Sequence, residues 1–295
     1  MERQIIENIK HVIVHGNCPD GMASAIILYD ALGIIPKFVM HGTSEYNNLK
    51  AGAIVLDHHK KSQRIIEEFG SRGVFADEKE RPGVSGALLA FEEIWTKSKY
   101  YYRDNGFKYK FFYDFADLVG IADTWQKDNT RWSQAMYLIS ALSFYPWSYW
   151  KEKMDTEDSS LSQEMMIGKI IYQERLAEAQ KYADTVYTFE VANLKVGIFN
   201  DLSHLTSDVA EVLRNRGYNL VMGFSYFKNV TDLRPSLRLS LRSDSTFNVS
   251  HFANFVDPDG GGHSQAAGCS RPCESVGNDP FLLCQYLLEE YLNHE

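Results

Sequence analysis

The chain has 295 residues, 44% of them hydrophobic and 23% charged, which is typical of a globular protein long enough for two domains. Its formal net charge of −9 disfavours long duplex DNA as a partner, because the phosphate backbone attracts a basic surface. The sequence has no run of about 18 apolar residues, no apolar leader and no disulfide framework among its cysteines. We therefore expect a cytoplasmic protein without a membrane partner.

The first half of the sequence alternates short apolar runs with helix-forming segments. Predicted strands lie at 11–14, 38–40, 53–56 and 73–76, and predicted helices lie at 22–32, 62–69, 85–97 and from 114 to about 123. Strands and helices that alternate at this spacing favour a parallel sheet in an α/β domain. We predict such a domain over residues 1–158.

The third predicted strand, 53–56, runs directly into Asp57, His58 and His59. In open α/β sheets the residues that follow a parallel strand line the crevice where ligands bind. Asp57 and one histidine can each offer a lone pair to a divalent cation, and the second histidine remains for a phosphate or a proton. The alternative is a strand end with solvated polar side chains.

The first predicted strand also ends in a polar stretch. It delivers His15, and the turn from Gly16 to Gly21 that follows contains Cys18 and Asp20. A strand, a polar loop and then a helix is an order typical of a functional loop in such sheets. Farther along, Asp123 lies at a predicted helix end, where the chain turns polar.

The stretch from Lys97 to Phe112 interleaves basic residues with aromatic ones. Together such side chains can stack on and neutralise single-stranded nucleic acid. The alternative is an exposed excursion whose aromatic side chains pack on the domain.

A long amphipathic helix is predicted from 159 to 187, because apolar residues recur at steps of three, four or seven. It is predicted to join the first domain to a smaller mixed α/β domain over residues 188–295. Elements predicted in that domain are a hairpin at 188–199, a helix at 207–215, strands at 220–227 and 235–243, and a C-terminal helix at 281–292.

Leucines alternate with Arg238, Ser240 and Arg242 in the predicted strand 235–243. A period of two places the leucines on the core face and both arginines on the opposite face. Two arginines that flank a serine suit a phosphate. The alternative is a solvated strand face.

Gly260, Gly261, Gly262 and His263 form a second candidate ligand-binding stretch. Glycines let the backbone approach a ligand closely, and the small residues after them are predicted to begin a helix whose N-terminal amides bind an anion. His263 adds a hydrogen-bond donor. The alternative is an ordinary turn.

Three of these stretches, His15 to Gly21, Asp57 to His59 and Gly260 to His263, occur in an order that resembles the DHH phosphoesterase superfamily with its DHH-associated C-terminal domain. The resemblance covers nearly the whole chain and includes Asp123. That superfamily contains RecJ-type exonucleases, oligoribonucleases and cyclic-dinucleotide phosphodiesterases. The resemblance implies a phosphoesterase that depends on Mn²⁺ or Mg²⁺ and acts on a nucleotide or short oligonucleotide.

Residue by residue, the resemblance implies one set of metal ligands in the first domain: His15, Asp20, Asp57, His58 and Asp123. It also implies that His59 meets the scissile phosphate, so that His59 and Asp57 are the catalytic candidates. Gly260 to His263 would hold the substrate from the second domain.

The sequence departs from that family in two places. Where the family's first loop carries two acids, this chain reads Cys18-Pro19-Asp20, so that Cys18, Asn17 or neither is the additional ligand. A family strand that ends in a metal-binding Asp is absent, and Glu45 is the sole acid between residues 41 and 52. We therefore expect one tightly bound ion and a second, weaker one.

Two other functions stay open at this point. Hydrolysis of inorganic polyphosphate needs the same metals and no base pocket. A nucleotide-binding module would keep the phosphate-binding cleft and have lost turnover with the missing carboxylate. The sequence does not determine the oligomeric state, and a homodimer stays open.

Overall fold

The computed structural model describes residues 3–16, 18–39, 53–57, 63–77, 80–98, 106–156, 160–201, 205–228, 235–272 and 279–294. The chain divides into two compact units, Met1–Tyr172 and Gln173–Glu295. None of the helices in the described ranges is long and apolar enough to cross a membrane. His58, His59, Asn17 and Glu45 lie outside the described residues, and so does the side chain of Asp57.

The N-terminal unit combines helices with short parallel strands. Its described helices are α1 (Arg3–Glu7), α2 (Pro19–Leu32), α3 (Gln63–Glu68), α4 (Gly86–Glu93), α5 (Phe107–Asp123), α6 (Trp132–Phe144) and α7 (Trp147–Asp155). Its described strands are β1 (Ile13–His15), β2 (Lys37–Val39), β3 (Val55–Asp57) and β4 (Gly73–Phe75). Short 3₁₀ turns occur at Gly70–Arg72 and Trp95–Lys97.

All strand pairing described in this unit is parallel. Strand β1 pairs with β2, and β3 pairs with β4. A parallel bridge joins His11 to Ala53, in the residues that lead into β1 and β3. This bridge places the segments that lead to His15 and to Asp57 side by side at their starts.

Helix α2 lies in the middle of the N-terminal core. Ala23, Ala25, Ile26 and Ile27 are completely buried, on several sides of the helix. A helix that is apolar all round is surrounded by other elements, and α2 contacts α4, α5 and α6. It ends at Gly33, which has a φ of 70°, as the sequence predicted.

Two features of this unit differ from the sequence-based prediction. Helix α5 begins at Phe107, seven residues before the predicted start, because the aromatic residues in its first turns pack into the unit: Phe112 is 1% exposed. Helices α6 and α7 were not predicted. The described part of the basic and aromatic stretch is therefore mostly helix, although Phe107 itself stays 63% exposed.

The long helix α8 (Ser162–Ala183) contains the boundary between the two units, after Tyr172. The C-terminal unit continues with strands β5 (Tyr187–Val191), β6 (Leu194–Asn200), β7 (Leu220–Lys228), β8 (Pro235–Ser243), β9 (Gly261–His263) and β10 (Ala266–Pro272). Its further helices are α9 (Thr206–Arg214), α10 (Val249–Val256) and α11 (Pro280–His294).

One six-stranded sheet organises the C-terminal unit, in the order β5-β6-β7-β8-β10-β9. Strands β6 and β7 run parallel and the other neighbours run antiparallel, so the sheet is mixed, as predicted. Helices α10 and α11 cover one face, where Leu237, Leu239 and Leu241 are completely buried. The end of α8 and helix α9 cover the other face around Val221. The unit is a three-layer α/β structure.

The glycine segment does not lead into a helix. Residues 261–263 form strand β9 and residues 266–272 form strand β10, joined by a turn at Ser264 and Gln265. The predicted helix after the glycines is therefore wrong. Ala266 to Pro272 pair with β8 over seven residues, and these non-local hydrogen bonds outweigh the weak helical preference of a short run of small residues.

Candidate functional site

Asp20 lies in the first turn of α2, immediately after Pro19, and not in the polar turn where the sequence placed it. Its side chain is buried, with the residue 8% exposed. One carboxylate oxygen accepts the backbone N–H of Gly86 at 3.0 Å, and the other accepts that of Ala87 at 2.8 Å. The carboxylate therefore lies at the N-terminal ends of both α2 and α4, where unpaired N–H groups and the helix dipoles favour an anion.

Two glycines make this arrangement possible, because a side chain at either position would collide with its neighbours. A Cβ on Gly86 would lie 2.7 Å from Asp20 Oδ2. A Cβ on Gly21 would lie 2.0 Å from the backbone oxygen of His15, so α2 packs directly against the end of β1. Ser85 caps α4 by accepting the N–H of Leu88, which fixes the turn that presents these donors.

Cys18, Asp20 and Asp123 share one electrostatic neighbourhood. Burial raises the pKa of the Cys18 thiol to about 12, and the negative charges of Asp20 and Asp123 add to the rise. Backbone N–H groups of Gly21 and Asp20 oppose it in part. The first loop and the C-terminal end of α5 are therefore neighbours, although 103 residues separate Asp20 from Asp123.

These residues are candidate ligands of a divalent cation. Asp20 is already oriented by two hydrogen bonds, as metal-binding carboxylates usually are. Carboxylate oxygens beside an imidazole are a donor set that suits Mn²⁺ or Mg²⁺. Among the described residues no group of three His, Cys, Asp or Glu side chains forms a complete cluster. His58 and the Asp57 carboxylate fall outside that description.

A basic surface in the C-terminal unit is a second candidate site. On β8 the leucines face the α10–α11 core, and Arg238, Ser240 and Arg242 face the α9 side, as the alternation predicted. Arg242 Nε donates to Ser207 Oγ at 3.1 Å, at the start of α9. This bond fixes the guanidinium of Arg242 beside the first turn of that helix.

Positive charge accumulates around Arg242. Burial lowers its pKa below the ordinary arginine value, and the charges of Arg214 and Arg238 lower it further, whereas Asp201 opposes the shift. Arginine stays protonated at any physiological pH, so the shift reflects first the cost of burying the charge and then the repulsion among like charges. A bound anion such as phosphate would relieve that repulsion.

His263 lies on the same side of the sheet as Arg242. Ala266 of β10 pairs with Arg242 of β8 on one side and with His263 of β9 on the other. The three residues therefore lie in one row across adjacent strands. His263 is exposed. Ala266 and Gly268, on the intervening strand β10, have little or no side chain to cover the surface between β8 and β9. Two strand spacings, about 10 Å, separate the guanidinium-bearing strand from the histidine-bearing strand.

The glycines of β9 have a conformational reason to be glycine. Gly261 and Gly262 have φ values of 151° and 149°, in a region that other residues rarely adopt. A Cβ on Gly262 would lie 2.4 Å from the backbone oxygen of Ala266. Gly260 approaches Ala253 as closely, since its Cβ would lie 2.5 Å from that residue's backbone oxygen.

Sequence reasoning missed the residues that orient these groups. The N–H groups of Gly86 and Ala87 contact Asp20 across 66 and 67 residues, and no local pattern indicates such a contact. Arg214 carried a weak signal as a basic residue in the last turn of a predicted helix. Sequence alone could not place it beside Arg242.

No family model and no curated protein matches the sequence. Among solved structures, the pGpG-specific phosphodiesterase PggH from Vibrio cholerae has a TM-score of 0.55 at 13% identity, over 95% of this chain and 99% of that one. An exopolyphosphatase-related protein from Bacteroides fragilis has a TM-score of 0.49 at 13% identity, over 98% and 94% of the two chains.

At this identity, the similarity to PggH shows a common fold over nearly the whole length of both chains. The shared fold agrees with the resemblance that the sequence indicated.

Proposed function

We propose that the chain is a metal-dependent phosphoesterase that hydrolyses a nucleotide or a short oligonucleotide, with an N-terminal unit that is the catalytic domain of DHH type. The observation that carries the proposal is the setting of Asp20. A buried carboxylate that two backbone N–H groups hold in one orientation at the N-terminal ends of two helices is arranged as metal-binding carboxylates usually are. The fold shared with a phosphodiesterase of the dinucleotide pGpG supports a phosphodiester substrate.

The residues that would hold the cation are His15, Asp20, Asp57, His58 and Asp123. When bound, Mn²⁺ or Mg²⁺ supplies a Lewis acid that polarises a phosphoryl oxygen and makes water more acidic. Imidazoles among carboxylates favour Mn²⁺ over Mg²⁺, which prefers a set of oxygen ligands.

The residues of the chain itself supply binding and orientation. Arg238, Arg242 and His263 would bind substrate phosphate, with Gly260 to Gly262 allowing close approach of the backbone. His59 would donate to the scissile phosphate, and Asp57 would orient its neighbours or share in metal binding. Removal of single nucleotides from a short oligonucleotide, as an exonuclease does, fits these roles.

Unequal metal occupancy is part of the proposal. Cys18 stands where the related proteins carry an acid, and as a neutral thiol it is a weaker ligand than a carboxylate. A second ion without a full set of carboxylates should bind more loosely than the first. Metal stoichiometry by mass spectrometry, beside a rate titration in Mn²⁺, tests this: two fully occupied ions at low Mn²⁺ would contradict it.

A substrate panel tests the function itself. The full chain is assayed with pGpG, a 5′-phosphorylated dinucleotide, a phosphomonoester nucleotide and inorganic polyphosphate, each with Mn²⁺, Mg²⁺ or chelator. We expect hydrolysis of the nucleotides with Mn²⁺ and none with chelator. Asp123→Ala and His58→Ala should abolish it and lower metal content, and Asp128→Ala, an exposed acid in the turn after α5, is the matched control.

The basic surface and the glycine strand of the C-terminal unit are tested with separate variants. His263→Ala, Gly261→Val and Arg242→Lys should each weaken nucleotide binding more than metal binding. Arg242→Lys keeps the charge and loses the planar fork, so we expect about a ten-fold loss of affinity.

The outcomes separate the alternatives. Hydrolysis confined to polyphosphate would make the chain a polyphosphate hydrolase. Nucleotide binding without hydrolysis of any phosphoester at saturating Mn²⁺ would make it a binding module.

A further inference from the structure

A tryptophan, Trp125, occupies a backbone position that normally requires glycine, two positions after Asp123. Helix α5 ends with Thr124 as its C-cap. The N–H of Trp125 then bonds to the oxygen of Ala122 at 3.2 Å, and that of Gln126 bonds to the oxygen of Ile121 at 2.9 Å. This pair of bonds is the Schellman motif, in which the residue after the cap adopts a left-handed conformation.

Trp125 has a φ of 57°, in that left-handed region. A bulky side chain there is strained, because its Cβ crowds the following carbonyl oxygen, and glycine avoids the strain. The surrounding turn holds the conformation: Thr124 Oγ1 donates to the oxygen of Gly120 at 2.7 Å and accepts from Gln126 Nε2 at 2.9 Å. The fold at this point favours glycine, so the indole contributes something that the backbone does not need.

Only part of the indole surface packs against the rest of the structure. Trp125 is 41% exposed. Its ring meets the ring of Trp132 edge-on, with centroids 5.4 Å apart, and Lys127 Nζ lies 4.8 Å from its centroid. Only Thr124 lies between Trp125 and Asp123 in the chain, so the Cα atoms of Trp125 and Asp123 lie within about 7.6 Å of each other. An exposed aromatic surface with an ammonium group beside it therefore borders the candidate metal site.

We propose that Trp125 is a nucleobase platform, a role that rests on the proposed function. The exposed part of the indole stacks on the base next to the scissile phosphate, and the Lys127 ammonium attracts the phosphate charge. Aromatic side chains bind bases in this way in proteins that recognise single strands, largely without sequence preference. Inorganic polyphosphate has no base, so Trp125 selects nucleotides over polyphosphate.

The test measures how two ligands bind to wild type, to two Trp125 variants and to one control variant of the full chain. A phosphorothioate-linked dinucleotide and inorganic tripolyphosphate are titrated by calorimetry into wild type, Trp125→Gly and Trp125→Phe in Mn²⁺. Trp125→Gly removes the indole and relieves the backbone strain, and Trp125→Phe keeps a smaller ring. Phe144→Ala, a change at an aromatic residue that is 60% exposed at the end of α6, is the matched control.

We expect Trp125→Gly to weaken dinucleotide binding roughly ten-fold, Trp125→Phe to restore most of the affinity, and Phe144→Ala to leave dinucleotide binding unchanged. Tripolyphosphate binding should stay the same in all variants, and the melting temperature of Trp125→Gly should equal or exceed that of wild type.

Three results would overturn the platform: unchanged dinucleotide affinity in Trp125→Gly, equal weakening of both ligands, or a lower melting temperature for that variant. Binding is measured without turnover. A wild type that binds the dinucleotide but hydrolyses nothing would contradict the proposed enzyme function, and the Trp125 variants would still decide whether Trp125 binds the base. A wild type that binds neither ligand contradicts both.

Discussion

At the scale of single residues, the molecule places charged groups where helix ends and neighbouring charges act on them. Asp20 lies at the N-terminal ends of α2 and α4, and Arg242 lies among other arginines beside the start of α9. An anionic side chain is stabilised in the first setting and an anionic ligand in the second. The same physical rule thus supports a cation site in one unit and a phosphate site in the other.

The carboxylate of Asp20 holds two elements together, which Asp20→Asn tests. An amide has a single oxygen, so one of the N–H groups of Gly86 and Ala87 loses its acceptor. We expect the free energy of unfolding in chelator to fall by about 1–3 kcal/mol, and Mn²⁺ binding to be lost in calorimetry. Asp128→Asn serves as the control, and an unchanged Mn²⁺ affinity in Asp20→Asn would remove this residue from the site.

Two buried thiols make stability depend on alkaline pH. Burial raises the pKa of Cys269 and of Cys284 from 9.0 to about 12 in the folded chain. A raised pKa stabilises the folded state fully below the unfolded value, and the contribution is lost as the pH rises from 9 towards 12. Each thiol should cost up to about 1.4 kcal/mol per pH unit in that window.

Urea denaturation at pH 8 and pH 10.5 measures this loss. Lysines and tyrosines titrate in the same window, so the double variant Cys269→Ala and Cys284→Ala provides the reference. We expect wild type to lose more stability between the two pH values than the double variant does. Equal losses would show that the thiolates form without cost.

At the scale of elements, close backbone contacts position the site. Helix α5 touches the turn before α4 at Gly120, where a Cβ would lie 2.3 Å from the backbone oxygen of Gly83. That turn leads directly to Ser85 and Gly86, which begin α4. Helix α5 therefore sets both the position of Asp123 at its own end and the position of the donors to Asp20.

Gly120→Ala tests this coupling between packing and site. The added methyl group meets backbone, which cannot move aside as a side chain would, so helix α5 must shift. We expect the free energy of unfolding to fall by about 1–3 kcal/mol, together with a weaker Mn²⁺ affinity. Lys110→Ala, an exposed change on the same helix, should leave both unaltered. Full Mn²⁺ affinity in a destabilised Gly120→Ala would separate the packing from the site.

At the scale of the whole molecule, the two units differ in what they contain. The five tryptophans of the chain all lie before residue 151, within the N-terminal unit. The basic face and the glycine strand lie in the C-terminal unit. Tryptophan fluorescence therefore reports on the N-terminal unit, and circular dichroism reports on both.

This separation allows each ligand to be assigned to a unit by its effect on unfolding. We expect Mn²⁺ at about one hundred times its dissociation constant to stabilise the transition seen by tryptophan fluorescence by about 2.7 kcal/mol. Asp123→Ala should remove that shift, and Arg242→Ala should leave it in place. A fluorescence transition that Mn²⁺ does not move would contradict a metal site in the N-terminal unit.

The sequence by itself determined what depends on near neighbours along the chain. The alternation in 235–243 set the two faces of β8, because side chains in a strand alternate whatever the strand pairs with. The end of α2 at Gly33 followed from capping chemistry, which involves residues within one turn. The motifs around Asp57 and Gly260 to His263 indicated the fold.

The tertiary structure decided what depends on contacts between distant segments. The residues after the glycines became β10 because β8 was there to pair with them. Asp20 found its donors 66 and 67 residues away, at the start of another helix. Trp125 adopted a left-handed conformation because the hydrogen bonds of its turn outweighed the strain. Non-local hydrogen bonds and packing overrule local preference in each case, since several of them act together against a small intrinsic cost.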